Sequence, residues 1–213
     1  MAPTRIVRSI ALAAALLVWC IAIVGGAFVM FGYASTPGAD ARAPLQWPNP
    51  SLLEREPDAF TLLFFAHPHC PCTNASFEQL LRVLASARLP LDCHAIFTIP
   101  ESTEDEWEEG ALLRKVEAVS QITVRRDHFA SESRRFGVAT SGHVLLYTPD
   151  GRLLYSGGIT ATRGHEGDNL GAQAIVEYLS GMEPSTSHMP VFGCPLFDDA
   201  QPGSLDCCAE GAP

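Results

Sequence analysis

From Ile10 to Tyr33 the chain carries no charged side chain, and Arg5 and Arg8 stand just ahead of that run. No other feature restricts the molecule as severely, because an α-helix crosses a bilayer with about 20 apolar residues. A cleavable secretory signal has a shorter apolar region, about 7–15 residues. Ala39-Asp40-Ala41 nevertheless offers a small-residue cleavage site, so removal is the alternative to a retained anchor. Leading arginines hold an N-terminus inside and send the chain beyond the span outside. Residues 1–33 are therefore read as one transmembrane anchor that contacts lipid through 10–33, with everything after Tyr33 beyond the membrane.

Residues 34–50 (ASTPGADARAPLQWPNP) are rich in Pro, Ala and Gly without a period, the composition of a linker. The 213-residue length then leaves room for one domain plus attachments. The net charge of -10 includes a dense acidic run at Glu101–Glu109, which reads as a solvated helix start. No basic cluster occurs, so nucleic acid is excluded as a partner.

Across 51–181 strand and helix patterns alternate. Thr61–Ala66 is a short apolar run of the kind that forms a buried strand. Thr73–Ala87 comes next, with Phe77, Leu80, Leu81 and Leu84 at helical spacing. Leu91–Ile99 reads as a strand, Asp105–Ser120 as a helix, Ile122–Arg126 as a strand and Phe129–Phe136 as a short helix. His143–Tyr147 and Leu153–Ser156 flank Thr148-Pro149-Asp150-Gly151, whose chemistry is that of a hairpin turn. Asp168–Leu179 closes as a helix with Gly181 past its end. This order predicts an α/β domain, a mixed sheet with helices on both faces. Residues 182–213 form a Cys-containing tail without periodicity.

Seven cysteines are many for a reducing compartment. Cys20 lies in the apolar run, Cys70 and Cys72 form a tight pair, Cys93 stands alone, and Cys194, Cys207 and Cys208 sit in the tail. The stretch Phe64-Phe65-Ala66-His67-Pro68-His69-Cys70-Pro71-Cys72-Thr73 resembles the strand, redox loop and helix start of the thioredoxin superfamily. Phe136-Gly137-Val138 and Ser141–Tyr147 resemble that superfamily's approach to its cis-proline and antiparallel hairpin. Two departures stand out: the motif is Cys-Pro-Cys rather than Cys-x-x-Cys, and Gly142 occupies the cis-proline position. Thr140–His143, Gly157–Thr160, Arg163–Asn169 and Phe192–Leu196 together are similar to bacterial membrane-anchored proteins of the RedB type. That resemblance implies a thioredoxin-like fold, a redox association, and a single-pass protein of the inner membrane with its C-terminal domain in the periplasm.

The resemblance also places Cys70 and Cys72 at a helix N-terminus, where thiolate is favoured. His143 and the Gly157–Asn169 loop are expected at the same end of the sheet. The leading expectation is thiol–disulfide exchange with extracytoplasmic proteins, with no cofactor. Cys70 or Cys72 attacks, the other resolves, and His69 and His143 tune their acidity. The alternative is a metal site: His67, His69, Cys70, Cys72 and His143 offer sulfur and imidazole, which suit copper(I) or zinc. A cysteine pair opposite a histidine is similar to the Sco-type copper chaperones. A third reading is a redox-inactive scaffold of the same fold. Cys194, between Gly193 and Pro195, is either a resolving or a structural cysteine.

The topology is directly testable. A reporter active only outside the membrane, fused after Asp150, is expected to be active; activity of a cytoplasmic-only reporter instead would overturn the orientation.

Overall fold

The computed structural model describes residues 3–99 and 110–197, so Glu101–Glu109, Cys207 and Cys208 lie outside the described residues. Helix α1 spans Pro3–Ser35, and within it Val7–Ser35 is long and apolar enough to cross a membrane. The chain forms two compact units, Met1–Thr36 and Pro37–Pro213. The second is a mixed α/β domain.

Its elements are β1 Phe60–Ala66, α2 Pro71–Ser86, β2 Leu91–Ile99, α3 Ala111–Glu117, β3 Ile122–His128, α4 Ser131–Arg135, β4 His143–Tyr147, β5 Leu153–Gly158, α5 Leu170–Tyr178 and β6 His188–Met189. The sheet order is β3-β2-β1-β4-β5-β6. β1, β2 and β3 run parallel, β4 returns antiparallel against β1, β5 is antiparallel to β4, and β6 is parallel to β5. A βαβ unit joined to an antiparallel hairpin, with cysteines at the first strand's exit, makes the fold thioredoxin-like.

Side chains alternate across a strand, and β1 feeds two cores. Leu62, Phe64 and Ala66 pack with Phe77, Leu80 and Val83 of α2 and Ala174 and Ile175 of α5. Leu63 and Phe65 turn the other way, toward Phe136, Val138, Leu145 and Tyr147. Both faces being dry, the strand reads as an unbroken apolar run.

Residues 34–50 are not only a linker. Gly38 N donates to Val191 O (2.8 Å), Arg42 N to Gly137 O (3.0 Å) and Trp47 N to Gly151 O (2.8 Å), while Leu153 N donates to Leu45 O (2.9 Å). Trp47 meets Phe136 and Tyr147 edge-on, with ring centroids 5.0 and 5.1 Å away. The segment straps the second core, and its proline and glycine content reflects an extended path with few ladder bonds.

The tail likewise continues past Gly181 into the sheet. After β6, Ser141 N donates to Cys194 O and Leu196 N to Ala139 O, both at 2.8 Å, and Thr140 bridges Pro195. Gly193 lies so close to this seam that a Cβ there would sit 1.8 Å from Ser141 O. Only glycine fits.

Trp47→Ala removes two edge-to-face contacts from a half-buried position. It is expected to destabilise the full chain in detergent by about 2 kcal/mol, below the roughly 3–5 of a core Trp→Ala. Urea unfolding measures this; no loss would mean the strap contributes nothing.

Candidate functional site

β1 is central and dry, so the chain leaving Ala66 must turn at once over the end of the sheet. His67 to Cys70 make that turn: Cys70 N donates to His67 O (3.3 Å) and Thr73 N to Cys70 O (3.2 Å). Cys70 is the N-cap of α2 and Pro71 its first residue, a position where proline has no helical N–H to lose. The sulfur of Cys70 thus stands at the positive end of a 16-residue helix.

A second loop locks against the first. Gly142 N donates to Phe65 O (2.7 Å). Ser141 Oγ accepts from His67 N (3.1 Å) and shares a 2.7 Å hydrogen bond with Thr73 Oγ1. Gly142 has φ +90, which disfavours any side chain and accounts for the glycine at this position. The Ser141–Cys194 backbone bond then brings in the tail.

The result is a sulfur cluster. Cys70 Sγ, Cys194 Sγ and a ring nitrogen of His67 all lie within 4.8 Å of one another, and the three residues are 1%, 2% and 2% exposed. Cys72 and Cys194 both lie close enough to Cys70 to bear on its charge, and Cys194 on that of Cys72. Only Cys72 of the three cysteines is half-exposed. All three are thiols rather than disulfides.

Charge concentrates on one sulfur. The Cys194 and then the Cys72 hydrogen bonds pull the Cys70 pKa far below its usual value, against burial, with His67 and Thr73 adding to the effect. Cys194 shifts up, chiefly because it donates to Cys70. For Cys72 the Cys194 bond acts downward, but its bond to Cys70, burial and the Cys70 charge together raise it. Burial lowers the His67 pKa, partly offset by the Cys70 charge. Arg163 donates to Gly193 O (2.5 Å) and also bears on Cys72, so the glycine-rich loop reaches the site through that residue. Asn169 instead caps α5, accepting from Ala172 N (2.8 Å).

Of the expected residues, the structure brings Cys70, Cys72 and His67 together, leaves His69 exposed at the rim, and sends His143 elsewhere. His143 pairs with Phe65 in the β4–β1 register and so shares its face, opposite the α2 layer that Val144 joins. Its Nε2 hydrogen-bonds Ser156 Oγ at 3.0 Å, and burial lowers its pKa to about 3. The expected convergence correctly placed the start of β4 but overlooked side-chain parity. Cys194 is the residue the pair lacked, and its Gly-Cys-Pro setting was the available signal. Cys93 is buried in the first core, away from this cluster.

No protein family and no curated protein matches the chain. Among solved structures it is similar to a hypothetical protein from Sinorhizobium meliloti 1021, with 19% identity, TM-score 0.53, and 76% of this chain and 93% of that one covered. It is also similar to an uncharacterized conserved protein from Geobacillus kaustophilus, with 15% identity, TM-score 0.51, and coverage of 80% and 95%. A weaker likeness, TM-score 0.38 at 16% identity over 59% and 83%, is to a secreted Mycobacterium tuberculosis disulfide oxidoreductase homologous to E. coli DsbE.

The neutral His143 has a measurable consequence. Between about pH 6.5 and 3 the unfolded chain binds a proton there that the folded chain refuses, so stability falls as pH drops. The depressed Cys70 contributes with the same sign. His143→Gln should remove up to about 1.4 kcal/mol per pH unit of that slope while leaving the pH profile of thiol alkylation unchanged. An unchanged stability slope would show a histidine protonated in the folded state.

Proposed function

We propose that the protein is a membrane-tethered thiol–disulfide exchange protein acting on partner proteins outside the membrane. The observation that carries this is the Cys70 sulfur at the start of α2, buried within 4.8 Å of the Cys194 sulfur and a His67 ring nitrogen, with Cys72 two residues on. A thiolate is the reacting form of cysteine, and this arrangement stabilises it at neutral pH. The apolar helix α1 supports tethering, and the sequence patterns similar to RedB-type proteins support a periplasmic domain.

Division of labour follows exposure. Cys72 is the sulfur a partner can reach, and Cys70 is the buried one. As a partner disulfide approaches, the proton on Cys72 passes along its hydrogen bond to Cys70, and Cys72 attacks. The mixed disulfide forms and the first partner thiolate leaves. Cys70 then gives up its proton to that thiolate, attacks Cys72 Sγ and releases the second partner sulfur as a thiolate, which takes up a proton from solvent. Two electrons reduce the partner, and the protein keeps a Cys70–Cys72 disulfide. The reverse sequence oxidises a partner dithiol, and relative potentials set the direction.

One observation favours a second reading. His67, Cys70 and Cys194 offer a buried nitrogen and two sulfurs at ligand spacing, a donor set that suits copper(I) or zinc. A copper chaperone would hold its ion there rather than on the expected set with His69 and His143.

Exchange assays on the full chain separate these readings. Cys72→Ser is expected to stop reduction of a peptide disulfide. Cys70→Ser removes both the sulfur that takes up the Cys72 proton and the one that resolves the mixed disulfide, so the peptide is expected to stay joined to Cys72 and its full reduction to stop. Unchanged rates in both would leave the redox-inactive scaffold. Copper(I) held against a competing chelator, lost about tenfold or more in His67→Ala and accompanied by no exchange, would establish the chaperone.

A further inference from the structure

We infer that Cys194 is a third redox thiol, taking the disulfide over from Cys70–Cys72 so that the oxidised protein rests as Cys70–Cys194 with Cys72 free. This rests on the exchange reading above and names what completes it.

The first argument is ring geometry. Cys70 and Cys72 flank Pro71 at the start of α2, and residues two apart on a helix do not face each other. A bond between them closes a very small ring, and such strained disulfides are readily attacked and comparatively oxidising. Cys194 arrives from a separate segment and carries no such constraint. Its sulfur lies within 4.8 Å of Cys70 Sγ, so side-chain rotation and small loop adjustments bring it to a bond of about 2.05 Å.

The second argument is how firmly Cys194 is held. Its carbonyl accepts from Ser141 N, Leu196 N returns to Ala139 O, Thr140 bridges Pro195, and Arg163 grips Gly193 O. The 1.8 Å approach at Gly193 excludes any larger residue there. A tail that merely covered the domain would not require its cysteine to lie buried within 4.8 Å of the Cys70 sulfur. Arg163 is therefore a positioning residue for this thiol.

The step is an internal exchange. After a partner disulfide has oxidised Cys70 and Cys72, the Cys194 thiol loses its proton and its sulfur attacks Cys70 Sγ. The Cys70–Cys194 bond forms, the Cys70–Cys72 bond breaks, and the Cys72 sulfur leaves with the electron pair and takes up the proton. No electrons enter or leave the protein. The disulfide then joins two sulfurs that are 1% and 2% exposed, out of a second partner's reach, and the surface-facing Cys72 is a thiol again.

Disulfide mapping tests this. The full chain in detergent, oxidised with glutathione disulfide, is alkylated, digested without reduction and read by mass spectrometry. The expected product links Cys70 to Cys194 and alkylates Cys72. A Cys70–Cys72, Cys72–Cys194 or tail-only bridge involving Cys194 overturns the relay while leaving exchange intact; no bridge at any of the three, with no exchange, overturns both. Cys194→Ser supplies the independent measurement. It should still exchange through Cys70 and Cys72, but its glutathione equilibrium should shift tenfold or more toward the reduced form, about 30 mV. An unshifted equilibrium would rule the relay out.

Discussion

β1 has a hydrogen-bonded neighbour on each edge and an apolar layer on each face. Every backbone group inside such an environment must find a partner, since an orphan costs about as much as a lost hydrogen bond. That condition decides what happens at Ala66. The strand ends, but Phe65 O still needs a donor, and Gly142 N supplies it. His67 N needs an acceptor, and Ser141 Oγ is there. The loop before α2 and the loop before β4 are welded by necessity rather than by chance. The sulfur cluster is built on that weld.

The cluster's electrostatics follow from having three sulfurs and room for one charge. A buried thiolate needs compensation. The Cys194 and Cys72 thiols, His67, a hydroxyl at Thr73 and the head of α2 provide it. Cys72 and Cys194 both shift upward, first because their protons serve the Cys70 sulfur, then through burial, and last because a second thiolate would face the first. Reactivity is therefore a matter of moving one proton among three atoms. Burial assigns the stable position of the charge to Cys70, while exposure assigns partner contact to Cys72.

The sequence made these parts legible unevenly, for physical reasons. β2 and β4 were readable to the residue because burial leaves apolar stretches in both, Ala95–Phe97 and Val144–Tyr147, and turn residues bound the strands. The Cys70–Cys72 pair was visible because a helix start after a buried strand has a strong signature. His143 was misplaced by one step of strand alternation: its backbone is at the right end of the sheet, but its ring shares a face with Phe65 and Leu145. The strap through Trp47 and the seam through Cys194 were hardest to read. Both are tied by backbone hydrogen bonds and glycine contacts, which leave no periodicity and look like loop composition.

The same weld makes the two chemistries open to this cluster mutually exclusive at any instant. A metal on His67, Cys70 and Cys194 would occupy the two sulfurs that a Cys70–Cys194 disulfide joins, and a disulfide sulfur is no longer an anionic ligand. Thiolate ligands must be deprotonated, whereas Cys194 is held here as a donor to Cys70. Binding an ion would thus cost the cluster the hydrogen bonds that stabilise its single charge, and the ion would have to replace them. Thiol exchange asks only that one proton move between neighbouring sulfurs, from Cys72 to Cys70, with no ion to supply the compensation. Half-exposure of Cys72 points the same way, since a closed metal site gains nothing from a sulfur at the surface. Of the two chemistries, exchange asks less of the fold.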